Sequence, residues 1–365
     1  MLNNKTIAVV VPAYNEEKQI GNVIETIPDF VDRIIVVNDC SVDDTKGVVE
    51  RLIEDNNITT IEIKNILNLV ELKKYNRADF ILQEQLKTEM KYFVPSEVFN
   101  MKPEQERIIL INQLKNSGVG AAIARGYKWC KDYGIDCTAV MAGDGQMDPD
   151  ELESICKPVI EENIDYVKGN RLIHRSAWLV IPKTRYFGNS ILSILTKIAS
   201  GYWHVSDTQS GYTAISKKAV NAIRLYDVYK SYGMPNDMLV KLNISFCTLR
   251  EVEIKPVYDI GEKSKMKVLK VVPRISLLLF VSFFKRLWIK YLFRDFHPLF
   301  LLYNAAFLLG ILTLPYLIKI IKSFLFGSHL NYEPLLAFIF LFVSAFQALL
   351  FAMWMDIQDN ERLYK

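Results

Sequence analysis

The stretch Val140-Met-Ala-Gly-Asp-Gly-Gln-Met-Asp-Pro-Asp150 is the key to the fold. A short apolar run from Thr138 to Ala142 ends in two glycines that flank a single acid, Asp144. The following Asp-Pro-Asp predicts a helix start, with Asp148 as its cap and Pro149 in the first helical position. We therefore expect a strand end, a tight turn and a helix. Asp144 then stands at the carboxyl end of a strand, where α/β sheets bind their ligands.

The chain before this stretch repeats the same alternation of strand and helix. Thr6–Val11 and Arg33–Val37 are apolar and β-branched, as is typical of strands buried on both faces. Each precedes a segment with helical spacing, and further strands are predicted at Arg107–Asn112, Asp165–Gly169 and Val252–Val257. This rhythm predicts a parallel α/β sheet. Its neighbouring strand ends bring Tyr14-Asn-Glu16 and Asp39-Cys-Ser41 side by side.

Two motifs in the sheet region indicate ligand sites, one for a cation and one for an anion. Asp144, with the amide Gln146 nearby, suits Mg²⁺, which takes few protein ligands and completes its shell with water and phosphates. The alternative is that Asp144 only caps a turn. Gly118 and Gly120 open a predicted helix, whose N-terminus can admit an anion. A dinucleotide fingerprint is not matched, because its third glycine position is Ile123.

Composition limits the remaining interpretations. The 365 residues carry a net charge of only +3, which indicates no nucleic-acid partner. Five scattered cysteines form no Cys-x-x-Cys pair and fit a reducing compartment. Residues 56–106 are rich in Lys, Glu, Asn and Gln and interrupt the rhythm, so we predict an insertion with one or two surface helices.

The C-terminal part predicts attachment to a membrane. Nine Lys or Arg and no acid lie between Lys263 and Arg294, and Arg286, Lys290 and Arg294 share one helical face. That pattern is typical of a helix lying in a membrane interface. Residues 298–318 and 334–355 are uncharged and long enough to span a bilayer. The positive-inside rule predicts a cytoplasmic catalytic domain and a cytoplasmic tail, 356–365.

Five motifs in order carry a resemblance to a known family. They are Val11-Pro-Ala-Tyr-Asn-Glu16, Asn38-Asp-Cys-Ser41, Gly118-Val-Gly-Ala121, Gly143-Asp-Gly-Gln146 and Asp207-Thr-Gln-Ser-Gly211. Together they resemble the family 2 glycosyltransferases of GT-A fold, in the branch similar to dolichol-phosphate mannose synthase. The resemblance implies a Rossmann-like, mostly parallel GT-A domain over 1–262, an amphipathic interface segment over 263–297 and a transmembrane hairpin over 298–355.

The resemblance also implies roles for individual residues. A nucleotide sugar would be held by Pro12, Tyr14, Glu16, Asp39, Ser41, Gly118, Gly120 and Lys265. Asp144 and Gln146 would bind Mg²⁺ or Mn²⁺ on the diphosphate. The phosphate of a lipid acceptor would be held by Arg171, Arg185 and Asn189. The sequence departs from the family where Ala142 replaces the first acid of the metal motif and where Asn38 replaces an acid.

The expected reaction is inverting transfer of a hexose from a UDP- or GDP-sugar to a polyprenyl phosphate such as undecaprenyl or dolichyl phosphate. A phosphate acceptor is already anionic at neutral pH and needs cations rather than a base. A saccharide or glycolipid hydroxyl, the first alternative, would need a general base, for which Asp237 is the candidate. The second alternative is a membrane-tethered, inactive nucleotide-sugar binder. The oligomeric state stays open, with a homo-oligomer as one alternative.

Overall fold

The computed structural model describes residues 2–55, 60–66, 71–258, 268–326 and 332–365. Within them, the strands are β1 (Ile7–Ala13), β2 (Arg33–Asn38), β3 (Ser96–Val98), β4 (Ile108–Gln113), β5 (Cys137–Val140), β6 (Tyr166–Asn170), β7 (Thr213–Ser216) and β8 (Leu249–Glu253). The helices of the sheet region are α1 (Ile20–Thr26), α2 (Thr45–Asp55), α3 (Arg77–Thr88), α4 (Val119–Asp132), α5 (Leu152–Glu161), α6 (Ala177–Val180), α7 (Lys183–Ser200), α8 (Lys217–Ala222) and α9 (Met234–Ile244). Three C-terminal helices follow: α10 (Val268–Trp288), α11 (Pro298–Leu325) and α12 (Tyr332–Glu361).

The strands form one mostly parallel sheet, as predicted. Their order is β3-β4-β2-β1-β5-β7-β6-β8, and only β3 and β7 run antiparallel to their neighbours. All residues of β1 and β2 are buried, because helices cover both faces of the sheet. Alternate residues of β1 enter two separate apolar cores, with Val10 on one face and Val9 and Val11 on the other. Such double burial requires a continuous apolar run rather than alternation.

Two edges of the sheet differ from the prediction. The last strand is Leu249–Glu253, earlier than the predicted Val252–Val257, because only 249–253 pairs with β6. Residues 96–98 form the unpredicted strand β3, which pairs with β4. The end of the 56–106 insertion therefore belongs to the sheet. The sequence pattern did not predict this strand, because three residues are too few to show a period-2 alternation.

The helical part of the insertion packs on α4 through buried charges. Glu89 lies 3.7 Å from Lys128 and 3.6 Å from Lys131, while Lys128 also bonds Asp132 at 2.5 Å. All four side chains are at most 11 % exposed. Buried charges of this kind occur where they are paired. The insertion thus covers α4, while the strands before and after the insertion, β2 and β4, pair with each other in the sheet.

The C-terminal helices α11 and α12 are long and apolar and pack against each other. The most apolar 18-residue stretches of α11 and α12 have mean hydropathies of 1.8 and 2.5, and by length and composition both helices can cross a membrane. Only 17 % and 11 % of their most apolar windows are buried, unlike the core helix of a soluble protein. The predicted pair of apolar helices is confirmed, and α11 and α12 extend beyond the predicted 298–318 and 334–355.

The described part of the basic segment is helical from Val268 to Arg294, but two of its cations do not face the surface. Residues 289–294 continue α10 as a π-helical turn. Arg286 and Lys290 are 1 % and 0 % exposed, and their partners are Asp356 and residues 359–360 at the end of α12. The prediction that these two cations lie in the membrane interface is wrong, because helical spacing does not reveal a partner about seventy residues later.

The last ten residues are part of the packed structure rather than a free tail. Helix α12 continues to Glu361, and the chain then runs beside β8. Leu249 donates its N–H to the carbonyl of Leu363 at 2.7 Å, and Lys365 donates to the carbonyl of Leu249 at 2.9 Å. The predicted tail, 356–365, is therefore helical as far as Glu361, and its last residues form a single β-bridge to the start of β8.

Candidate functional site

The ends of β1 and β2 lie side by side, as the parallel sheet predicts. The Asn15 N–H donates to Ser41 Oγ at 3.0 Å, and the Glu16 N–H donates to Thr45 Oγ1 at 2.9 Å. Pro12 is buried in β1, and its carbonyl accepts the N–H of Gly143 at 3.2 Å. The predicted nucleotide-binding residues Pro12, Tyr14, Glu16 and Ser41 are thus at one sheet edge, joined to the turn that carries Asp144.

Asp39 connects this edge to a third loop. Its buried carboxylate accepts the N–H groups of Ser117 at 2.8 Å and Gly118 at 2.7 Å. Burial raises the pKa of Asp39, and the two backbone N–H groups partly oppose that rise. A carboxylate has about four lone-pair sites, so these two bonds leave it acceptor capacity for a ligand.

Gly118 and Gly120 are required by packing rather than by an anion. Gly118 has φ +94°, and a Cβ there would lie 2.5 Å from the carbonyl oxygen of Lys230. That carbonyl accepts the N–H of Gly120 at 3.0 Å and of Ala121 at 3.3 Å. It therefore occupies the donors at the N-terminus of α4 that we expected to bind a phosphate. In the structure these two glycines contact the 229–231 loop, and their contact with a nucleotide sugar stays a prediction.

Replacing Gly120 with alanine is expected to destabilise the protein by about 1–3 kcal/mol or more, the usual cost of overpacking. The new Cβ would overlap the carbonyl oxygen of Tyr229, and backbone on both sides restricts relief. Chemical denaturation measures the change. Gly188→Ala is the matched control, because a Cβ at Gly188 meets nothing within 4 Å. Equal stability of the two variants would contradict the packing role.

The Asp144 turn opens into a cavity of about 180 Å³. Asp144 Oδ1 accepts the N–H of Gln146 at 3.1 Å, and Gly145 adopts φ +75°, which closes the turn. Asp144, Gln146 and Arg171 all line this cavity. The structure therefore brings together the predicted metal ligands and one of the predicted phosphate-binding arginines.

The cavity lining also contains residues that sequence reasoning missed. Lys255 Nζ binds Asp148 at 3.2 Å, and the Lys255 N–H donates to Glu151 at 2.8 Å. Gln209 also lines the cavity, and its Nε2 donates to Asn236 Oδ1 at 2.9 Å. Gln209 belongs to the Asp207–Gly211 motif, so that motif could have identified it as a site residue. Lys255 lay inside the predicted strand Val252–Val257, whereas the observed strand ends at Glu253, so its position after a strand end was not predicted.

The oxygen donors at the turn fit a hard divalent cation. No group of three or more His, Cys, Asp or Glu residues within the described ranges is arranged to hold a metal. Asp144 and Gln146 supply one carboxylate and one amide oxygen to the cavity. Mg²⁺ is commonly bound by one or two carboxylates together with substrate phosphates. Ala142 lines the same cavity and adds no ligand atom from its side chain.

Arg171 is held in the cavity wall by Asp207. Its Nε donates to Asp207 Oδ2 at 2.8 Å and its Nη2 to Oδ1 at 3.0 Å, a bidentate pair. The Arg171 side chain is 23 % exposed and that of Asp207 is fully buried. Burial opposes the ionisation of Asp207, but the charge and hydrogen bonds of Arg171 and the charge of Lys168 together outweigh it and hold the pKa of Asp207 below its usual value.

Asp207 is itself fixed from two sides. Glu251 accepts the N–H groups of Ser206 at 2.9 Å and of Asp207 at 3.0 Å. Lys168 is fully buried, and its ammonium donates to the carbonyl of Ser210. Burial lowers the pKa of Lys168 to about 8. This polar layer under the cavity orders the 206–211 loop and, through Asp207, the guanidinium of Arg171.

Other predicted site residues lie elsewhere or outside the described part of the structure. Asp237 is buried and bonds Lys241 at 2.6 Å and the N–H of Tyr229 at 2.8 Å; it does not line the cavity. Arg185 and Asn189 fall four residues apart in α7 and so share a helical face, but the side chain of Arg185 lies outside the described residues. Lys265 also lies outside them.

Comparison with known proteins places the chain among sugar transferases. The family model described as Glycosyl transferase family 2 matches residues 8–66 and 96–224. The gap, 67–95, lies within the predicted insertion. The chain is 28 % identical over 256 residues to UDP-N-acetylglucosamine–dolichyl-phosphate N-acetylglucosaminyltransferase of Methanococcus voltae, covering 70 % of this chain and 87 % of that protein.

Two more distant similarities were found. The chain is 26 % identical over 136 residues to undecaprenyl-phosphate mannosyltransferase of Micrococcus luteus, covering 37 % of this chain and 55 % of that protein. The structure of glucosyl-3-phosphoglycerate synthase from Mycobacterium tuberculosis aligns at 16 % identity with a TM-score of 0.46, covering 78 % of this chain and 80 % of the other.

Proposed function

Because the chain belongs to glycosyl transferase family 2, we propose that it transfers a hexose from a UDP- or GDP-sugar to a polyprenyl phosphate, with inversion at the anomeric carbon. Two relatives are named as transferases that act on dolichyl phosphate and undecaprenyl phosphate. Residues 298–355 would anchor the enzyme, with its cavity on the cytoplasmic side of the membrane.

The observation that carries this proposal is that one cavity contains both oxygen donors suited to a metal ion and an arginine suited to an anion. Asp144 and Gln146 bring oxygen donors to the cavity lining, and Arg171 brings a cation that Asp207 holds in place. An arginine held by a buried carboxylate presents its charge without losing further side-chain entropy on binding. This combination suits a donor diphosphate carrying a metal ion and an acceptor that is itself an anion.

In the proposed reaction, an oxygen of the acceptor phosphate attacks the anomeric carbon of the sugar. A new carbon–oxygen bond forms as the bond to the nucleoside diphosphate breaks, and the leaving diphosphate takes the electron pair. The second pKa of a phosphate monoester is about 6, so the acceptor is ionised at neutral pH. The reaction therefore requires no base, consistent with Asp237 lying outside the cavity lining.

Charge on the leaving diphosphate has to be stabilised as it develops. Mg²⁺ or Mn²⁺ held by Asp144 and Gln146 would supply that stabilisation when bound. Tyr14, Glu16, Asp39 and Ser41 would hold the nucleoside at the ends of β1 and β2. Arg171, with Arg185 and Asn189 from α7, would position the acceptor phosphate.

The direct test is an assay of the purified protein in lipid nanodiscs with a panel of UDP- and GDP-sugars. Undecaprenyl or dolichyl phosphate is the acceptor, and the matching polyprenol without phosphate is the control. We expect a glycosyl-phosphate lipid from the phosphate acceptor and no product from the polyprenol. Comparable transfer to a hydroxyl acceptor would favour the first alternative. Nucleotide-sugar binding without product from any donor would favour the inactive binder.

A further inference from the structure

The end of α12 inserts its polar side chains between the catalytic domain and α10. Arg286 makes a bidentate pair with Asp356, with both nitrogen–oxygen distances at 2.7 Å. Asn360 Oδ1 accepts hydrogen bonds from Lys290 at 2.6 Å and from Asn243 of α9 at 2.7 Å. We call Arg286, Lys290, Asn243, Asp356, Asp359 and Asn360 the C-terminal cluster.

The composition of this cluster favours a role in fixing geometry over a role in stability. Its two cations face two carboxylates, Asp356 and Asp359, so the buried charges balance. Taking such groups out of water is costly, and burial lowers the pKa of Lys290 to about 8. Buried ion pairs often add little net stability, whereas their directional bonds tolerate only one arrangement.

The cluster contacts both α7 and α9, which are connected to the cavity lining through hydrogen bonds. Arg286 donates to the carbonyls of Ala199 at 3.0 Å and Ile198 at 3.1 Å, at the end of α7. Gly201, which follows the last residue of α7, adopts φ +78° and lets the end of the helix approach Arg286. A Cβ at Gly201 would lie 2.5 Å from Arg286 Nη1. The other end of α7 carries Arg185 and Asn189.

The second route runs along α9. Asn243, the cluster residue near the end of this helix, donates to Asn360, and Asn236 lies two turns earlier in the same helix. Asn236 Oδ1 accepts hydrogen bonds from Gln209 of the cavity wall at 2.9 Å and from Thr196 of α7 at 2.9 Å. Thr196 and Asn236 therefore join the two helices between the cluster and the cavity.

From these contacts we infer that Asp356–Lys365 is a positioning segment for the transfer reaction: it fixes the orientation of the catalytic domain on the two apolar helices, so that the cavity meets an acceptor embedded in the membrane. The inference rests on the proposed function and adds residues that do not touch the substrate. A soluble acceptor reaches the cavity by diffusion in any orientation. A membrane-embedded acceptor depends on the orientation that the segment fixes.

The test compares two acceptors in one preparation of Asn360→Ala in phospholipid vesicles. The acceptors are undecaprenyl phosphate in the vesicle and a short, water-soluble prenyl phosphate. We expect the ratio of kcat/KM for the long acceptor to that for the short one to fall roughly tenfold to a hundredfold, since small misplacements are costly in catalysis. A misfolded, inactive fraction lowers both values by the same factor and cancels from the ratio, which therefore reports the folded protein alone. An unchanged ratio overturns the inference.

The matched control is Asp227→Asn, which also removes an acid that pairs with α10. Asp227 lies 3.3 Å from Lys285 on the surface, with both side chains about half exposed, and its loss should leave the ratio unchanged. If Asn360→Ala yields no folded protein, a chain ending at Arg362 replaces it. That chain lacks the pairing of Leu363 and Lys365 with Leu249, and the same fall in ratio is expected.

A second measurement separates this inference from the proposed function. Spin labels at Lys157→Cys in α5 and Phe326→Cys after α11, in a Cys40→Ser background, report the distance between domain and hairpin. We expect one narrow distribution in the otherwise unchanged chain and a broad one after Asn360→Ala. If the unchanged chain glycosylates neither acceptor, the proposed function fails, and the distance distributions alone decide the orientation. Identical distributions overturn the positioning segment.

Discussion

Replacing Asp144 with asparagine is expected to reduce kcat/KM for sugar transfer by roughly 10²–10³-fold, comparable with the loss of one preorganised electrostatic group. Asp144 is the carboxylate of the proposed donor site and lines the cavity with Gln146. Asparagine keeps the shape of the side chain but removes the charge that favours a divalent cation. Initial rates over a range of nucleotide-sugar and Mn²⁺ concentrations measure the effect.

Asp150→Asn is the matched control for this substitution. It removes the same charge six residues later, at an exposed position in the short 3-10 helix Pro149–Glu151 that precedes α5. We expect its rates to stay within about twofold of the unchanged enzyme, as for most surface substitutions. If high Mn²⁺ partly restores Asp144→Asn, the residue acts through metal affinity. Undiminished transfer by Asp144→Asn would contradict the assignment of Asp144 as a metal ligand.

The second large effect is expected from Asp207→Asn. This change leaves the guanidinium of Arg171 with a neutral partner in a mostly buried site. Breaking one side of a buried ion pair costs about 3–5 kcal/mol, so we expect a loss of that order in the free energy of unfolding. We also expect the KM for polyprenyl phosphate to rise, because Asp207 holds two of the three nitrogens of Arg171.

Glu162→Gln provides the comparison for Asp207→Asn. Glu162 also binds an arginine, Arg250, at 2.6 Å, but its side chain is 50 % exposed. Exposed pairs contribute about 0–1 kcal/mol, so little change in stability or KM is expected. Titration of active enzyme separates the two effects of Asp207→Asn. A less stable protein with an unchanged acceptor KM would show that Asp207 supports the fold without positioning Arg171.

The sheet and the edge that carries the site were largely predictable from sequence. Strands buried on both faces leave continuous apolar runs, and polar residues at their ends mark the rim. The proximity of Asn15 and Ser41 follows from those two facts alone. The same reasoning placed Asp144 at a strand end, and the structure adds the cavity beside it.

Long-range partners were not predictable. Arg171 pairs with a carboxylate 36 residues later, and Arg286 with one 70 residues later. Local spacing shows which side chains share a face, but not which element covers that face. For the same reason, Gly118 and Gly120 resembled a phosphate loop, although the Lys230 carbonyl that occupies it lies more than a hundred residues away in sequence. Each error concerns a contact that only tertiary packing creates.

The pairing of Leu363 and Lys365 with Leu249 also has a consequence for biosynthesis. As the ribosome extends the chain, β8 and the cations of α10 are made before α11 and α12 exist. Until α12 has been made, Arg286 and Lys290 lack their acidic partners and the β8 edge is open to pairing with other chains. The domain that contains the sheet is thus completed only when the end of α12 has been made, and a chain stalled before α12 would present an aggregation-prone edge to quality control.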